Sequence, residues 1–591
     1  MKPNFKSLVE LLRFRSEESP NEILYTFLAD SGQENQTITY SQLDERARAI
    51  AAYLLEQIKA GDRALLLFQP GIDYIEAFMG CLYAGIVPVP AYPPDGRNLK
   101  RLMDVIQNAK AEIALSTSTV LNNVTALTAK GGTDTIRQEA ATFANTIKWV
   151  LSDEIKTQEA TNWKENLMTG ETLAFLQYTS GSTSNPKGVI LNHENLLYNF
   201  EFSKHAFGMN EDKQMISWLP PYHDMGLIGG ILQPMYVGMQ TTLMSPISFL
   251  KRPLRWLQTI SECGNNGEII SGAPNFAYEL CSDRIQDRDL EGLDLSNWKV
   301  AFNGAEPIRS NTMDRFTNKF TDTGFKKEFF FPVYGLAEAT LLVTAGDYKQ
   351  LPVISDLDKE QLEKHTAIPS SGNPENEIKK VGCGQELDGQ KVRVVDPETN
   401  LTCNENNIGE VWIAGPNVSQ GYWNNEEETA KSFGALTADT NEGPFFRTGD
   451  MGFYSNGELY ITGRLKEMII IRGRNYYPQD IELTVQQSDP SLRMGCGAAF
   501  SIDRNDEEQL IIVQEVRRDF KRKIDPEVVK RNIAMAVSKE HQLQASDIVL
   551  IEPSSFPKTS SGKLQRRASR EMYKQGELKT LDIPKIAQVQ P

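Results

Sequence analysis

Cysteine and histidine are scarce in this chain, which has six cysteines and five histidines among 591 residues. The cysteines are scattered, none forms a Cys-x-x-Cys pair, and the histidines show no metal-ligand spacing. Disulfide frameworks and structural zinc sites need such spacing. The pattern therefore argues against both and predicts a protein of the reducing cytoplasm.

Long apolar runs and a positive net charge are also lacking. No uncharged apolar stretch approaches the roughly 18 residues of a membrane-spanning helix, so we expect no membrane span. Glu10 and Arg13 interrupt the N-terminal apolar stretch, which therefore does not resemble a signal peptide. Its residues Leu8, Leu11 and Leu12 predict an amphipathic helix instead. The net charge of −16 argues against nucleic acid as a partner.

The length and the charge distribution predict more than one domain. A single hydrophobic core stops growing near roughly 250–300 residues. Hydrophobic residues make up 40% and charged residues 24% of the chain, as in globular proteins. The charge is −18 over residues 1–466 and +2 over residues 467–591. An acidic body and a mildly basic C-terminal domain with different partners are therefore expected.

Strand and helix patterns alternate through the first half of the chain, as in Arg63–Phe68 followed by Ile72–Tyr83. This order implies a mostly parallel sheet covered on both faces. Ser41 is the predicted N-cap of a helix over Gln42–Leu55. From Gly409 onward, short strands separated by Gly and Asn turns predict a small β-barrel or sheet. The last part of the chain, 467–591, has the pattern of a separate α+β unit.

The stretch 178–189, Tyr-Thr-Ser-Gly-Ser-Thr-Ser-Asn-Pro-Lys-Gly-Val, lies between two apolar segments that predict strands. Its glycines let backbone N–H groups point at an anion, while its hydroxyls and Lys187 add donors and charge. It is not the P-loop of NTPases, in which the lysine follows its glycine and opens a helix. The stretch predicts a polyphosphate site, and an ordinary Ser/Gly-rich surface loop is the alternative.

Two further stretches carry candidate site residues. His223 and Asp224 precede a glycine-rich apolar segment, although a histidine there could simply cap a helix or satisfy a core hydrogen bond. The turn 303–306 follows a predicted parallel strand, at the end where α/β sheets bind ligands.

The third stretch combines an aromatic residue with a carboxylate. Tyr334 precedes Gly335 and could stack on a purine, and Glu338 could hold Mg²⁺ against phosphates. The alternatives are core packing for Tyr334 and a solvated helix face for Glu338.

Asp450 and Arg464 are candidates for binding a nucleoside phosphate in the strand-rich region. One carboxylate can accept both hydroxyl protons of a ribose diol, which suits Asp450. Arg464 could neutralise an α-phosphate or bind the ribose. Each of the two could equally belong to a structural ion pair.

Together these motifs resemble the acyl-adenylate-forming superfamily, in the same order and over nearly the whole chain. The matching positions are Thr179–Gly188, His223–Gly226, Tyr334–Glu338, Asp450, Arg464 and Lys563. Three strings narrow the resemblance to fatty acyl-AMP ligases: Pro-Tyr-His-Asp-Met-Gly-Leu-Ile-Gly-Gly, Asn-Gly-Ala-Glu-Pro and Gly-Arg-Asn-Tyr-Tyr-Pro-Gln-Asp-Ile-Glu. The long segment between Glu338 and Val381 is similar to those ligases as well.

The resemblance implies an α/β fold with a large N-terminal domain over 1–465 and a small, hinged α+β domain over 466–591. The large domain would have two α/β sheets and a distorted β-barrel at about 380–465. A family-type insertion would occupy about 346–380, where 356–364 predicts a short amphipathic helix. We hypothesise that this insertion limits rotation of the small domain after adenylation, so that no productive channel for CoA forms.

The resemblance also implies a reaction, in which a fatty carboxylate attacks ATP with Mg²⁺ to give acyl-AMP and pyrophosphate. Lys563, His223 and Glu338 would be catalytic, and Glu338 would also hold the metal. The residues implied to bind ATP are Thr179, Ser180, Gly181, Ser182, Thr183, Lys187, Asn303, Gly304, Ala305, Glu306, Tyr334, Gly335, Asp450 and Arg464. The residues implied to line the acyl pocket are Asp224, Met225, Gly226, Asn275 and Phe276.

In the family, the acyl group then passes to the phosphopantetheine thiol of an acyl carrier protein, an acidic partner. The basic runs within 517–523 and 566–570 could be its docking face on the C-terminal domain, or merely solvated surface. An acyl-CoA synthetase, a non-catalytic nucleotide-binding relative and an amino-acid adenylation domain are the alternative functions. The last would need an acidic residue for the substrate amine, a part that Asp224 could mimic.

Overall fold

The structure is a computed structural model that describes residues 4–30, 34–96, 98–130, 133–179, 186–471, 474–504, 507–558 and 564–581. The strands are β1 (Ile23–Leu28), β2 (Gln36–Thr39), β3 (Arg63–Leu67), β4 (Val87–Ala91), β5 (Ala111–Ser116), β6 (Lys148–Leu151), β7 (Leu173–Thr179), β8 (Lys187–Asn192), β9 (Gln214–Ser217), β10 (Gln240–Met244), β11 (Ile269–Ala273), β12 (Trp298–Asn303), β13 (Phe330–Gly335), β14 (Leu342–Ala345), β15 (Ile354–Asp358), β16 (Glu377–Val381), β17 (Gln385–Glu386), β18 (Lys391–Val395), β19 (Gly409–Ala414), β20 (Phe446–Ser455), β21 (Glu458–Arg464), β22 (Ile469–Ile471), β23 (Arg474–Tyr476), β24 (Leu492–Arg504), β25 (Glu507–Val516) and β26 (Ala545–Ile551). The helices are α1 (Leu8–Glu18), α2 (Tyr40–Leu55), α3 (Ile72–Ala84), α4 (Leu99–Ala109), α5 (Ser118–Lys130), α6 (Asp134–Thr146), α7 (His193–Ala206), α8 (Gln233–Val237), α9 (Pro246–Lys251), α10 (Leu254–Gly264), α11 (Asn275–Arg284), α12 (Ser310–Phe320), α13 (Lys359–Leu362), α14 (Glu426–Ser432), α15 (Pro478–Gln487), α16 (Pro526–His541) and α17 (Arg566–Gln575).

The chain divides into two compact units. The first unit comprises 1–353, 381–393 and 412–447. The second comprises 354–380, 394–411 and 448–591. The second unit therefore includes the predicted insertion from residue 354 onward, together with the predicted C-terminal domain.

Two sheets dominate the first unit. The larger has the order β17–β14–β13–β12–β11–β9–β10–β1–β2 among the described residues. Its neighbours from β13 to β1 run parallel, whereas β2, β14 and β17 add antiparallel edges. The smaller sheet, β4–β3–β5–β6, is parallel throughout. The predicted pair of α/β sheets is confirmed.

The first helices show how local sequence sets the boundaries. α1 buries Leu8, Leu11 and Leu12, as its apolar spacing predicts. The predicted N-cap of the second helix was wrong, since Thr39 caps α2 rather than Ser41. Thr39 accepts from the Gln42 backbone while the Gln42 side chain accepts from the Thr39 backbone. This reciprocal capping box satisfies two helix-end donors, which Ser41 would leave unpaired.

The second unit contains a three-stranded sheet, β24–β25–β26, with α15, α16 and α17. Its core gathers apolar side chains from residues 469 to 550, such as Ile512 and Ile533. A separate small core joins Leu357 and Leu362 of the insertion to Met451, Phe453 and Tyr460. The α+β character predicted for the C-terminal region is confirmed.

Within the insertion, the amphipathic helix predicted over 356–364 is largely replaced by other structure. Residues up to Asp358 belong to β15, which pairs with β16, and helix is limited to Lys359–Leu362. Leu357 and Leu362 are buried in the small core. A pairing partner some twenty residues further along outweighs the weak helical pattern of a short charged segment.

The strand-rich region forms a four-stranded sheet of order β18–β19–β20–β21. The register of β20 and β21 places Asp450 directly opposite Arg464. None of the helices in the described ranges is long and apolar enough to cross a membrane.

Candidate active site

The phosphate-loop stretch is carried by a β-hairpin. Strands β7 and β8 pair antiparallel, with Thr179 opposite Lys187, as the two flanking apolar segments predict. The Thr179 carbonyl oxygen accepts a hydrogen bond of 3.1 Å from Nη2 of Arg101. The predicted binding residues Ser180, Gly181, Ser182 and Thr183 lie outside the described residues.

Lys187, at the start of β8, is held between two partners. Its Nζ lies 2.6 Å from Oε1 of Glu428 in α14. The same Nζ lies 4.8 Å from the centroid of the Tyr422 ring, within the range of a cation–π contact. One fifth of the lysine side chain remains exposed. The ammonium is thus held at the end of the loop that would receive phosphates.

Glu338 lies in a 3₁₀ turn, Ala337–Ala339, and not on the solvated face of an α-helix. Its Oε1 accepts a hydrogen bond of 2.9 Å from the Tyr422 hydroxyl. Thr340, two residues after Glu338, has φ 67° and ψ −64° and is fully buried. With the Leu341 N–H donating to the Ala339 carbonyl, this is the strained form of the γ-turn.

Backbone strain of this kind persists only where the surrounding structure holds it in place, and strained residues cluster at functional sites. Here the Thr340 hydroxyl donates to the Asn417 carbonyl at 2.6 Å, and the Asn417 amide donates to the Ala339 carbonyl at 2.9 Å. These two bonds lock the turn that carries Glu338.

The donor set around Glu338 fits a magnesium ion that arrives with a polyphosphate. Mg²⁺ binds through one or two carboxylates together with substrate phosphates, and it needs no complete protein cage. A carboxylate has about four lone-pair sites, so accepting a hydrogen bond from Tyr422 and binding a cation are compatible. No cluster of three or more acidic, histidine or cysteine ligands is present in the described part of the chain.

The turn 303–306 and the end of β13 carry the residues predicted to hold adenine. Asn303 is fully buried, and its Oδ1 has no hydrogen-bond partner within the described structure. Ala305 has φ 67°, another strained position for a residue with a side chain. A buried acceptor without a partner is costly, and an exocyclic amine of a purine would satisfy it.

Tyr334 is 8% exposed at the end of β13, which by itself fits the core-packing alternative. A Cβ at Gly335 would lie 1.8 Å from the Leu341 carbonyl oxygen. Only glycine permits this close approach of backbones beside the Glu338 turn.

His223 and Asp224 contact each other, with Nδ1 and Oδ1 2.5 Å apart. Asp224, rather than His223, caps the following helical segment by accepting from the Met225 backbone at 2.7 Å. That segment, Met225–Leu232, is a π-helix, a rare feature that occurs frequently at functional sites. A Cβ at Gly226 would lie 2.0 Å from the Pro220 carbonyl oxygen, so this turn also requires glycine.

Asn275 and Phe276 begin α11. Asn275 is buried and binds through its side chain to Asn303, Thr312 and the Arg309 backbone. The ring of Phe276 lies 6.2 Å from that of Trp218, edge to face. The role of both residues in an acyl pocket stays a prediction.

The remaining predicted residues belong to the second unit. Asp450 and Arg464 form an ion pair, with Oδ1 and Nε 2.9 Å apart. This matches the structural alternative and leaves their nucleotide role a prediction. Lys563 lies outside the described residues, although its loop is bracketed by a β-bridge between Lys558 and Leu564.

The basic runs differ in their surroundings, which narrows the predicted docking face. Arg566 forms a bidentate pair with Glu482 at 2.7 and 2.8 Å and a third contact with Glu467 at 2.7 Å. These carboxylates raise the pKa of Arg566 against the opposing effect of burial. Arg566 therefore holds α17 and α15 together and cannot belong to an exposed docking face.

Sequence reasoning missed Tyr422, Glu428 and Thr340. Tyr422 is 84 residues from Glu338 in the chain, and Glu428 is 241 residues from Lys187. No local spacing relates such distant positions. The available signal was the string Gly421-Tyr422-Trp423, where an aromatic residue is adjacent to a glycine, as it is at Tyr334–Gly335 in the opposite order.

Comparison with protein-family models agrees with the class that this fold and site define, that of adenylate-forming enzymes. A family described as AMP-binding enzyme matches residues 12–423. A second, described as Disco-interacting protein 2-like, AMP domain, matches residues 466–583. The chain belongs to the AMP-binding enzyme family.

Within that family, the relatives carry more specific names. The chain is 44% identical to the medium-chain-fatty-acid–[acyl-carrier-protein] ligase JamA of Moorena producens, over 98% of this chain and 96% of the relative. It is 33% identical to the ligase of the same description, TtuA, of Teredinibacter turnerae, over 95% and 93%. A fatty acyl-adenylate ligase of Legionella pneumophila, solved with acyl adenylate and pyrophosphate, matches at 40% identity and a TM-score of 0.74 over 98% of both chains. The predicted resemblance to fatty acyl-AMP ligases is confirmed.

Proposed function

We propose that the protein activates a medium- or long-chain fatty acid and hands it to an acyl carrier protein. A carboxylate oxygen of the fatty acid attacks the α-phosphorus of ATP, and the bond from that phosphorus to the bridging oxygen breaks. Pyrophosphate leaves and acyl-AMP remains. The thiolate of phosphopantetheine then attacks the acyl carbonyl, and AMP leaves. The names and coverage of JamA and TtuA support this assignment.

The observation that carries the proposal is the joining of Lys187 and Glu338 through one tyrosine. Lys187 Nζ lies 4.8 Å from the Tyr422 ring centre, and the Tyr422 hydroxyl donates to Glu338. Tyr422 thus contacts both a cation suited to phosphate oxygens, Lys187, and a carboxylate suited to a metal ion, Glu338. Positioning and charge stabilisation of this kind supply most of the catalysis of phosphoryl chemistry.

The other residues would take the following roles. The hydroxyls and N–H groups of 179–183 would bind the β- and γ-phosphates with Lys187. Asn303, with its unsatisfied Oδ1, and Tyr334 would hold adenine. Asp450 and Arg464 would give up their ion pair with each other when the nucleotide binds, and they would then bind the ribose and the α-phosphate. Lys563 would bridge the attacking carboxylate and the α-phosphate, and His223 would orient that carboxylate.

Glu338 would hold the magnesium ion, which supplies neutralisation of charge on the phosphates when it is bound. Within this chain, the locked turn 337–341 keeps the carboxylate directed. The Tyr422 hydroxyl donates to this carboxylate and helps to fix its orientation.

The docking face for the carrier protein would be formed by basic residues of the second unit that remain exposed. Arg566 is excluded, and Lys521 is engaged by Glu552 at 2.6 Å. Arg518, Arg522, Lys523 and Arg567 are exposed. Such a cluster suits an acidic partner, because complementary charge raises the association rate.

ATP–pyrophosphate exchange across a series of fatty acids from acetate to octadecanoate tests the proposal. Each methylene that enters an apolar pocket adds up to ~0.8 kcal/mol, so the specificity constant should rise by up to about fourfold per carbon until the pocket is full. A flat response between acetate and dodecanoate would rule out fatty-acid activation. Product analysis with CoA or with carrier protein then separates the two acceptors, and acyl-CoA as the main product would replace the carrier assignment.

The variant Lys563→Ala provides the chemical control in the same assay. Removing one charge-assisted contact from the transition state costs roughly 3 kcal/mol, about a hundredfold in rate. ATP affinity should change little, because the contact is made in the transition state. If this variant exchanges pyrophosphate at the wild-type rate, Lys563 has no part in catalysis.

A further inference from the structure

The segment 417–423 connects the two parts of the first unit that carry Glu338 and Lys187. At one end, the Ser419 N–H donates to the Glu338 carbonyl at 2.8 Å. At the other, the Ile190 N–H donates to the Gly421 carbonyl at 3.0 Å, and the Trp423 N–H donates to the Gly188 carbonyl at 2.7 Å. The segment is therefore tied by backbone bonds to both the Glu338 turn and the strand that begins with Lys187.

Tyr422 is the side chain that this segment directs toward both groups. It is 6% exposed, and its ring packs edge to face on Phe433 with the centroids 5.4 Å apart. Its backbone N–H donates to the Thr429 hydroxyl at 2.9 Å. A Cβ on the neighbouring Gly421 would lie 2.4 Å from the Thr429 methyl, so the close approach of α14 requires glycine there. The burial of the ring, its contact with Phe433 and the backbone hydrogen bond to Thr429 therefore hold the Tyr422 ring in one position.

The two ends of the Tyr422 side chain perform different tasks. The face of the ring lies against the Lys187 ammonium. Oε1 of Glu428 lies 2.6 Å from the same ammonium nitrogen. The hydroxyl donates to Oε1 of Glu338 at 2.9 Å. Groups that hydrogen-bond to a metal-binding carboxylate orient it, and their removal typically costs about 10- to 100-fold in metal affinity or activity.

We propose that Tyr422 is a positioning residue that orients Glu338 for the metal ion through its hydroxyl and supports Lys187 through its ring. The inference rests on the proposed function, since it takes Glu338 as the metal-binding carboxylate and Lys187 as a phosphate-binding cation. Tyr422 itself touches neither metal nor substrate in this scheme. Its contribution is to keep the two charged groups in register before ATP arrives, so that binding does not have to order them.

The two tasks can be separated by two substitutions. Tyr422→Phe removes the hydroxyl and keeps the ring, whereas Tyr422→Leu removes both. Tyr83→Phe is the matched control, because the Tyr83 hydroxyl donates to Oδ1 of Asp44 at 2.8 Å in a cluster with Arg13 and Arg48. It deletes the same kind of phenol-to-carboxylate bond outside the proposed site.

The experiment measures ATP binding by the full chain with isothermal titration calorimetry, without fatty acid, once in Mg²⁺ and once in EDTA. The ratio of the two dissociation constants gives the advantage conferred by the metal. Tyr422→Phe should keep the EDTA affinity of the wild type and lose about 10- to 100-fold of the metal advantage. Tyr422→Leu should lose the same advantage and, in addition, weaken binding a few-fold in EDTA because the cation–π contact is gone. Tyr83→Phe should match the wild type in both conditions.

Glu338→Gln distinguishes failure of this inference from failure of the proposed function. If Glu338→Gln abolishes the metal advantage and the double variant with Tyr422→Phe behaves like Glu338→Gln alone, the tyrosine acts through the carboxylate. If Glu338→Gln abolishes it while Tyr422→Phe keeps it, the metal role of Glu338 stands and the inference is overturned. If Glu338→Gln keeps the advantage, both fail. Equal losses by Tyr422→Phe in Mg²⁺ and EDTA, with a lower melting temperature, would show a merely structural tyrosine and also overturn the inference.

Discussion

His193 shows how one buried residue can set the response of the fold to pH. It is the first residue of α7, it is fully buried, and its Nδ1 accepts a hydrogen bond of 3.2 Å from the Leu8 backbone. Burial disfavours the charged imidazolium and lowers the pKa of His193 to about 4. In an unfolded chain its pKa would be near 6.5.

The consequence is a loss of stability in mild acid. Between about pH 6.5 and pH 4 the unfolded state binds a proton at this histidine and the folded state does not, so stability falls as the pH is lowered. The full effect from pH 7.5 to pH 5.0 amounts to about 2 kcal/mol.

We therefore expect His193→Asn, which keeps an acceptor near the Nδ1 position, to lose about 2 kcal/mol less than the wild type over this pH interval. Urea unfolding at both pH values measures the difference. His205→Asn, on the exposed side of the same helix, is the control and should have the smaller effect. Parallel pH profiles for His193→Asn and the wild type would contradict the prediction.

At the scale of elements, the insertion is attached to the rest of the second unit in two ways. Its apolar residues enter the small core with Met451, Phe453 and Tyr460. Its lysines bind the C-terminal helices. Lys380 lies 3.1 Å from Asp480 in α15, and Lys359 donates to the Glu540 carbonyl in α16. Deleting the whole segment would open the small core, so point variants give the cleaner test of our hypothesis on CoA.

We expect the double variant Lys359→Met, Lys380→Met to form acyl-AMP at the wild-type rate and to produce acyl-CoA above the wild-type level. The reason is that it removes the ion pair of Lys380 and the hydrogen bond of Lys359 with the C-terminal helices while the apolar core stays intact. Chromatography of the products at saturating CoA measures this. Lys379→Met is the control, since Lys379 pairs at 2.7 Å with Asp356 inside the insertion. A double variant that adenylates normally but makes no acyl-CoA would show that this attachment is not the gate.

At the scale of the whole molecule, the C-terminal part has hydrophobic cores of its own. Both clusters of that region draw their members from residues 469–581. Ile512 and Ile533, at the centre of one of them, are almost completely buried. A segment whose apolar side chains pack on one another can fold independently. This supports a domain over 466–591, which stays a prediction.

We expect a fragment of residues 466–591, expressed alone, to unfold in one cooperative transition in urea. Circular dichroism at increasing urea concentration measures this transition. Ile533→Asp in the fragment should abolish the transition, because a carboxylate would be buried without a partner. A fragment that is unfolded without the substitution would instead show that the segments 354–380, 394–411 and 448–465 are needed for folding. The folding unit would then be the complete second unit.

The sequence by itself determined which chemical groups this protein uses and in which order they occur along the chain. The hydroxyl-rich loop with Lys187, the Tyr334–Glu338 stretch and the strands around them depend on residue type and on spacing of a few positions, which can be read locally. The family resemblance and the α/β class followed from the same local patterns. The prediction of Ser41 as a cap failed because the cap depends on a reciprocal bond, and Thr39 with Gln42 makes it.

Only the tertiary structure decided which groups meet. Glu428 reaches Lys187 and Tyr422 reaches Glu338 because segment 417–423 lies along β8 and beside the strained turn at Thr340. It also decided that Arg566 is engaged in an ion-pair cluster with Glu467 and Glu482, although in the sequence it looks like its exposed neighbour Arg567. Contacts between distant positions depend on how sheets and loops pack, and no local pattern carries that information.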